Sequence, residues 1–486
     1  MEEMKVLIRN ATVRMPCARS VVHCLSRKRK ISAANWCCRH IKYRTRCCSA
    51  SLPLAQKTEE APINLDEGKG GAASIVGSLS QYLLKGCTPW HEAPSCPDYV
   101  GPVEVARTPD GRGRGLFATQ DVHAGTLLLI SNPMAISYDD PHRIMLLSKL
   151  VTMAAKDPLF LRKLHSLAHT QSSQHRLEVP SMDFLTSDSS DYMYSEEVVD
   201  PEPFDPARIM DIIMLNSFEG EYKTGKEESR LCALYLLPSL INHSCHRNAS
   251  RLIVGGAMII HAATDIRKGE EITITYVSTV APLQRRQKSS LSMKFGFTCK
   301  CKRCRVEESL QNSLRDVSEL YCDLHDKAAD EVHMAMCSQR SPPPESSFAT
   351  VLQLRNVFDT VCEKVFADKG LSELEKRWVL AGYSSAYLGK WLVSGYASHF
   401  SNVPVLLDQK VVEVVKALRA TVPGLVHTLS LTTFILGITQ RLESKEELAK
   451  EVFMLGMAEC AGAYGNQKSD VMLKLMEKST EVIPFF

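Results

Sequence analysis

Three cysteines stand within six residues in "CKCKRC", at Cys299, Cys301 and Cys304. Thiolates this close together favour a soft metal, most often zinc, which binds four ligands in a tetrahedron at about 2.3 Å from each sulfur. Without a metal, such thiols would repel one another as thiolates and oxidise readily. The spacing therefore predicts a zinc site, with a metal-free cluster of reactive thiols as the alternative.

The fourth ligand of this site must come from elsewhere in the chain. His261, Cys322 and Cys337 offer suitable donor atoms. Cys245 is the stronger candidate, because it lies in "INHSC", a sharp polar turn directly after an apolar run. Because four thiolates leave no open position for water, a zinc-dependent hydrolase is a poor interpretation. We predict one zinc ion with four cysteine ligands: Cys245, Cys299, Cys301 and Cys304.

Three other segments carry polar groups that could bind a ligand. The stretch "PDGRGRGLFA" at 109–118 has three glycines, whose backbone amides can approach a ligand, although no helix follows as in a dinucleotide-binding loop. Asn242 and His243 present an amide and an imidazole behind "LYLLPSLI", and Tyr276 ends "EEITITY". Taken singly, these segments fit a hairpin, a pair that satisfies local backbone groups, and a packing residue.

Two stretches of the sequence have the pattern of a small irregular sheet. Residues 103–133 and 249–277 alternate short β-prone runs with glycine-containing turns. Within the second stretch, Gly255-Gly256 predicts a hairpin turn. These stretches would place the glycine-rich loop and Tyr276 at strand ends.

The remaining sequence is mainly helical in pattern. Residues 141–170 carry apolar side chains at helical spacing, and a loop rich in Ser, Asp, Glu and Pro follows at 180–206. Helical spacing returns in "ARIMDIIMLNSF" and continues after Cys304 to the end of the chain, without a fixed repeat. Together these patterns predict an α+β fold, with small sheets interrupted by a helical insert and followed by an all-α region.

Charge is distributed unevenly along the chain. Residues 1–50 hold 12 Lys or Arg against two Glu, whereas the remainder holds 46 basic and 53 acidic residues. The mildly acidic body gives no support to a general nucleic-acid-binding role, and no apolar run is long enough to span a bilayer. The basic leader fits an organelle transit peptide, a disordered tail or, at 27–30, a nuclear-import signal. The compartment is therefore left open.

Taken in order, four segments resemble one family. "GRGRGLFA", "INHSC", "GEEITITY" and "FGFTCKCKRC" resemble the SET domain of protein-lysine methyltransferases, with its cysteine-rich post-SET tail. The resemblance covers about residues 100–307. The helical insert, "LNSFEG" and the helical C-terminus resemble the SET-and-MYND branch more specifically. The MYND zinc finger is absent, since no cysteine lies between Leu116 and Cys232.

The resemblance implies a division of the chain and a function. The expected activity is transfer of methyl groups from S-adenosylmethionine to a lysine side chain of a histone or non-histone protein, by a monomer that binds neither nucleic acid nor membrane. The alternative is a non-catalytic scaffold that binds partners through its C-terminal helices. The implied units are a leader and linker at 1–75, the first half of the SET domain at 76–140, the helical insert at 141–208, the second half at 209–280, the post-SET zinc segment at 281–307 and the helical domain at 308–486.

The resemblance also implies roles for individual residues. Tyr276 corresponds to the catalytic tyrosine and would orient the lysine amine, and Phe297 would pack on the adenine of the cofactor. Phe295 would line the substrate channel at a position where relatives often have tyrosine. A proline common in relatives is replaced by Arg247, which would weaken the turn. The expected cofactor-binding residues are Arg112, Gly113, Arg114, Asn216, Asn242, His243, Tyr276 and Phe297.

Overall fold

The computed structural model describes the parts of the chain that contain the predicted sites. The basic leader at 1–50 lies outside the described residues, as do Cys322, Cys337 and most of the loop predicted at 180–206. No described helix has the length and apolar character needed to cross a membrane. The described residues are 83, 97–168, 178–187, 205–224, 227–287, 291–320, 345–384, 387, 409–439 and 446–479.

Eleven strands among the described residues form three small sheets, as the α+β prediction requires. The first sheet has the order β1-β4-β10-β9, the second β2-β3-β11-β8 and the third β5-β7-β6. The strands are β1 Tyr99–Val100, β2 Val103–Arg107, β3 Arg114–Ala118, β4 Leu127–Ser131, β5 Ala135–Tyr138, β6 Phe218–Thr224, β7 Glu227–Leu234, β8 Asn242–His243, β9 Ala249–Val254, β10 Ala257–Ala262 and β11 Glu271–Ile274.

The second sheet brings together segments that are far apart in sequence. Strand β11 lies in its interior and pairs antiparallel with β3, matching Ile272 to Leu116. On its other side β11 pairs parallel with β8, matching Thr273 to Asn242 and Ile274 to His243. The glycine-rich loop before β3 and the polar pair of β8 therefore flank the same central strand.

The predicted hairpin at Gly255-Gly256 is confirmed. It joins β9 to β10, with Val254 opposite Ala257. Both glycines have positive φ, 55° and 96°, which is the backbone conformation of a tight two-residue hairpin and one that glycine adopts without steric cost.

The third sheet was not predicted, because its three strands lie outside the two stretches with a β pattern. The helical pattern at "ARIMDIIMLNSF" ends at Asn216, and β6 begins two residues later at Phe218. Strands β6 and β7 then pair over their whole length, from Phe218–Ala233 to Thr224–Glu227. Their polar and charged residues mask the β signal, because this hairpin has few alternating apolar positions.

Helices form most of the described insert, and short helices also lie within the post-SET segment. Two insert helices begin in the same way, with an aspartate N-cap followed by proline: Asp157 accepts from the Phe160 amide and Asp205 from the Ala207 amide. The helices of this part are α1 Ile144–Ala154, α2 Pro158–His165, α3 Met182–Thr186, α4 Pro206–Asn216, α5 Leu283–Arg286, α6 Ser292–Phe295, α7 Lys302–Ser309 and α8 Gln311–Leu320, with a short 3-10 helix at Leu237–Leu240.

The C-terminal region is helical wherever it is described, as predicted. Its helices are α9 Glu345–Lys369, α10 Glu373–Gly382, α11 Gln409–Thr421, α12 Val426–Thr439, α13 Glu446–Tyr464 and α14 Ser469–Ser479. These helices share one buried core with the first sheet. That core joins Leu127, Ile130 and Ile259 of the sheet to Val412, Leu418, Ile435 and Val452 of the helices.

Candidate active site and cysteine cluster

Glu271 connects the glycine-rich loop to the polar pair of β8. Its Oε2 accepts from Arg112 Nη2 at 2.5 Å, and its Oε1 accepts from Asn242 Nδ2 at 2.8 Å. Asn242 Nδ2 also donates to the Arg114 carbonyl at 2.7 Å. A Cβ at Gly115 would lie 2.7 Å from Glu271 Oε1 and 2.9 Å from Asn242 Nδ2, so a larger residue there would displace these two side chains. Sequence reasoning assigned no role to Glu271, although it lies in the quoted "GEEITITY".

The arginines of the loop point in different directions. Arg112 is half-exposed and also contacts Asp110, with Nε 2.5 Å from Oδ2. Arg114 instead reaches the helical insert, where its Nη1 and Nη2 donate to the carbonyls of Glu178 and Ser166 at 2.7 and 2.6 Å. Burial lowers the pKa of Arg114 to about 10. What Arg114 offers a ligand is thus its backbone, while its side chain braces the insert.

Asn216 and Asn242 have similar hydrogen bonding. Asn216, at the end of α4, donates through Nδ2 to the carbonyls of Ala168 and Ile212 at 2.7 and 2.8 Å. Asn242 likewise uses its amide hydrogens on Arg114 and Glu271. Within the described part of the chain, the side-chain atom that each asparagine retains for a ligand is the amide oxygen, an acceptor suited to a cationic group.

His243 links the predicted catalytic tyrosine to the cysteine cluster. Its Nδ1 accepts the Tyr276 backbone N–H at 3.0 Å, which assigns the ring proton to Nε2. Nε2 lies 3.3 Å from Cys245 Sγ and donates to it. Both ring nitrogens are engaged with the protein, so the predicted cofactor contact of His243 would have to come from its backbone or ring edge.

Tyr276 faces a group of aromatic rings. Its ring centroid lies 5.0 Å from that of Phe295, 6.4 Å from Phe297 and 5.4 Å from His243. Its hydroxyl donates to the Ile241 carbonyl at 2.8 Å. Burial raises the pKa of Tyr276 above its usual value, so the phenol is neutral at physiological pH.

The four predicted metal ligands come together. The Sγ atoms of Cys245, Cys299, Cys301 and Cys304 all lie within 4.8 Å of one another. A zinc–sulfur tetrahedron with bonds of about 2.3 Å has edges of about 3.8 Å, which fits within that spacing. Hydrogen bonds from Cys299, Cys301 and Cys304, with a further one from His243, hold the pKa of the Cys245 thiol below its usual value. His261, the other described candidate, lies in β10 and is not part of the group.

Two buried guanidinium groups flank this cluster, and their positive charge indicates which net charge the cluster should carry. Arg286 Nη2 lies 3.7 Å from Cys304 Sγ and 2.6 Å from Glu307 Oε2. Arg303 Nε lies 2.7 Å from Glu307 Oε1, and its Nη1 donates to the Cys245 carbonyl at 3.3 Å. Two buried cations facing one carboxylate leave excess positive charge, which a dianionic zinc tetrathiolate would balance. The donor set therefore fits zinc.

Comparison with known proteins bears directly on this arrangement. The family described as "SET domain" matches residues 113–277, which include β3, β8, β11 and Tyr276. The chain contains a SET domain. The cysteine segment at 299–304 lies beyond the C-terminal end of this match.

Curated relatives of this SET domain include named methyltransferases. "SET domain-containing protein SmydA-8, isoform A" of Drosophila melanogaster is 34% identical over 116 residues, 24% of each chain. "Histone-lysine N-methyltransferase SMYD3" of Mus musculus is 26% identical over 201 residues, 37% of this chain and 46% of the relative. "Histone-lysine N-methyltransferase SET5" of Meyerozyma guilliermondii is 38% identical over 92 residues, 18% of each.

The similarity is confined to part of these proteins. The chain spans between 18% and 46% of the length of the three relatives just named. Among solved structures, "Crystal structure of the SET domain of LSMT bound to Lysine and AdoHcy" aligns with 85% of this chain and 89% of that chain. That alignment has 13% identity and a TM-score of 0.23, too low to support a structural argument.

Arg247 does not leave the turn after the SET-domain motif "NHSC" loose, contrary to the expectation for a missing proline. The turn is fixed at its end by Asn248, whose Nδ2 donates to the Glu271 carbonyl at 2.9 Å and whose Oδ1 accepts from the Thr273 amide at 2.8 Å. Arg247 itself is buried and hydrogen-bonded. Sequence patterns thus did not identify Glu271 or the two arginines beside the cysteine cluster, Arg286 and Arg303, and they named Arg247 without its anchoring role.

Proposed function

We propose that this chain is an S-adenosylmethionine-dependent protein-lysine N-methyltransferase. The observation that carries the proposal is the position of Tyr276. Its hydroxyl points to the Ile241 carbonyl beside Phe295, and its backbone is tied through His243 to the cysteine cluster. The SET domain and the named relatives support the same reaction class.

The residues around the glycine-rich loop suit the amino-acid end of the cofactor. The amide oxygens of Asn216 and Asn242 can accept hydrogen bonds from its ammonium group. Backbone amides of Gly113 and Arg114 can receive its carboxylate, since Gly113 adopts φ of 111° and leaves the loop without a side chain there. Phe297 lies 6.0 Å from the His243 ring, centroid to centroid, and offers a face for the adenine.

Methyl transfer requires the protein to position the methyl donor and the lysine amine more than it requires acid–base groups. Bound S-adenosylmethionine would supply an electrophilic methyl group on its sulfonium sulfur. The target lysine amine has a reference pKa near 10.4 and must be neutral to react, which the apolar rings of Phe295 and Phe297 favour. Because the Tyr276 proton is committed to Ile241, its oxygen lone pairs can accept an amine N–H and orient the nitrogen.

The cysteine cluster would organise this channel. Cys299, Cys301 and Cys304 follow Phe295 and Phe297 closely in sequence, and Cys245 follows Asn242 and His243. Zinc bound to all four thiolates would therefore connect two parts of the site. One is the aromatic segment, which carries Phe295 and Phe297, and the other is residues 242–248, here called the cofactor turn. The substrate is a protein with an accessible lysine, and the aromatic channel with its intact tyrosine favours the enzyme over a non-catalytic scaffold.

Two measurements test the proposal in sequence. Calorimetric titration of zinc-loaded chain with S-adenosylmethionine should give saturable binding. Incubation with labelled cofactor and a methylation-depleted cell lysate should then transfer label to lysine residues of particular proteins. Binding without any transfer to lysate proteins, histones included, would favour the scaffold, and absence of binding would overturn the proposal.

A further inference from the structure

Arg247 anchors the cofactor turn to the C-terminal helices. Its side chain is buried, with 4% exposure, and its Nε and Nη2 both donate to the Pro423 carbonyl at 3.2 and 2.9 Å, although Pro423 lies 176 residues away. Its Nη1 lies 3.5 Å from Thr275 Oγ1. Thr275 lies between β11 and Tyr276, so one guanidinium contacts both the C-terminal helical region and the segment that carries the tyrosine.

The same peptide group is held from its other side. The Gly424 N–H, which belongs to the peptide unit of the Pro423 carbonyl, donates to Glu459 Oε2 at 3.0 Å. Glu459 is fully buried in α13, and its Oε1 lies 3.3 Å from Arg419 Nε. Gly424 has φ of 69°, and a Cβ there would lie 2.6 Å from the Gly462 backbone. The peptide is therefore clamped between Arg247 and Glu459 where two backbones meet closely.

The neighbouring residue makes a second contact with the helices. The His246 ring packs 4.9 Å from the Trp378 ring of α10, centroid to centroid. Two successive residues of the turn, which also bears Asn242 and Cys245, thus contact two separate parts of the C-terminal region: His246 contacts α10, and Arg247 contacts the loop between α11 and α12.

A buried guanidinium that hydrogen-bonds a carbonyl rather than a carboxylate is costly. A residue that served only to fill space would be better apolar. Arg247 contributes directional hydrogen bonds that an apolar side chain could not make. Two of its donors hold the Pro423 carbonyl, and a third reaches Thr275. This geometry defines the position of the turn relative to α12 and α13 more tightly than packing alone.

We infer that Arg247 is a positioning residue that couples the C-terminal helices to the cofactor turn through the Pro423–Gly424 peptide and Glu459. The inference rests on the proposed function for its effect on methyl transfer. The coupling itself does not, because it concerns contacts within the chain. A substitution at Arg247 should increase the mobility of the Pro423–Gly424 peptide, and a substitution at Glu459 should increase the mobility of the cofactor turn. Either change should lower the affinity for the cofactor.

The test uses full-length chain with Arg247→Met, Arg247→Lys and Glu459→Gln. Arg355→Met is the matched control, since Arg355 is also buried in the C-terminal region but contacts Asp359 and Tyr387, away from the turn. Amide hydrogen exchange is followed at 242–248 and 422–426, together with calorimetric affinity for S-adenosylmethionine and thermal stability. Arg247→Met should raise exchange at both segments and weaken cofactor binding about tenfold, with Arg247→Lys in between.

Each result bears on the inference. Glu459→Gln keeps an acceptor for Gly424 N–H, so it should fold, but it removes the carboxylate charge that interacts with Arg247 and Arg419, so it should raise exchange at 242–248 from a distance. Arg355→Met should lower stability without changing exchange at 242–248 or cofactor affinity. The inference is overturned if Arg247→Met alters exchange only at its own segment, or if Arg355→Met weakens cofactor binding as much. If the wild type binds no cofactor, the proposed function fails, and the exchange data still decide the coupling.

Discussion

The His243 imidazole joins Tyr276 to Cys245: its Nδ1 accepts the Tyr276 backbone N–H at 3.0 Å, and its Nε2 lies 3.3 Å from Cys245 Sγ. The residue proposed to orient the substrate and the residue that would bind zinc are therefore two hydrogen bonds apart. Loss of zinc should therefore change the position of Tyr276 as well as the structure of the metal site. The predictions below follow from this and from the buried charges around it.

Removal of zinc should disorder the aromatic segment and abolish methyl transfer. Cys299→Ser, or chelation of the wild type, should release zinc and raise amide exchange at 291–304 and around Tyr276, because uncompensated thiolates repel one another. Metal analysis and hydrogen exchange measure both effects. Cys232→Ser is the control, because Cys232 is a buried cysteine of β7 outside the cluster. Equal zinc loss in both variants would contradict the assignment of ligands.

Glu307 should be required for stability because it is shared by two buried cations. It accepts from Arg286 and Arg303 at 2.6 and 2.7 Å. Glu307→Gln should lower the free energy of unfolding by about 3 kcal/mol, since two guanidinium groups would face a neutral amide. Glu413→Gln, which disrupts a more exposed pair with Lys416, should cost about 1 kcal/mol or less. Denaturant unfolding compares them, and equal losses would argue against the charge balance at the cluster.

Glu459 should make stability depend on pH. Burial, opposed by Arg419 and Arg247, raises the pKa of Glu459 to about 7 from its ordinary value of 4.5. The folded state therefore holds the proton more tightly, so this stabilisation is complete below pH 4.5 and is lost as pH rises through about 7.

The comparison with Glu459→Gln isolates that effect, because glutamine does not titrate. Between pH 4.5 and 8 the stability difference should move by about 3 kcal/mol in favour of the variant. Chemical unfolding across that range measures it. Curves that stay parallel would show that Glu459 keeps an ordinary pKa in the folded chain.

Phe295 should influence how many methyl groups are added. Its ring lies 5.0 Å from the Tyr276 ring and carries no hydroxyl. Phe295→Tyr would add a hydrogen-bonding group that takes space and holds the amine, so products should shift toward lower methylation. Mass spectrometry of one substrate lysine, compared with wild type at equal turnover, measures the shift. An unchanged product distribution would place Phe295 outside the channel.

Local patterns identified much of this molecule. Three ligands within six residues marked the cysteine cluster, and Gly255-Gly256 marked a hairpin, because in both cases the spacing itself carries the chemistry. The order of motifs indicated the SET domain, and the polar turn "INHSC" suggested Cys245 as the fourth ligand. The charged hairpin of β6 and β7 was missed, since it lacks the apolar alternation that predicts strands.

Contacts between distant residues could not be predicted in the same way. Arg247 looked like the loss of a stiffening proline, and only the fold brings the Pro423 carbonyl to it. Glu271 meets Arg112 across 159 residues, and Glu307 meets Arg286 inside the post-SET segment. A single buried charge has no periodicity, so its partner becomes visible only when the chain is folded.

The most direct measurement is methyl transfer by Tyr276→Phe beside Tyr235→Phe. Both phenols donate to a backbone carbonyl, Tyr276 to Ile241 at 2.8 Å and Tyr235 to Gly256 at 2.6 Å, but Tyr235 lies in the core away from the aromatic channel. Tyr276→Phe should lower kcat about a hundredfold with cofactor affinity retained, whereas Tyr235→Phe should retain activity when folded. Equal rates for wild type and Tyr276→Phe would contradict the proposed role of this hydroxyl.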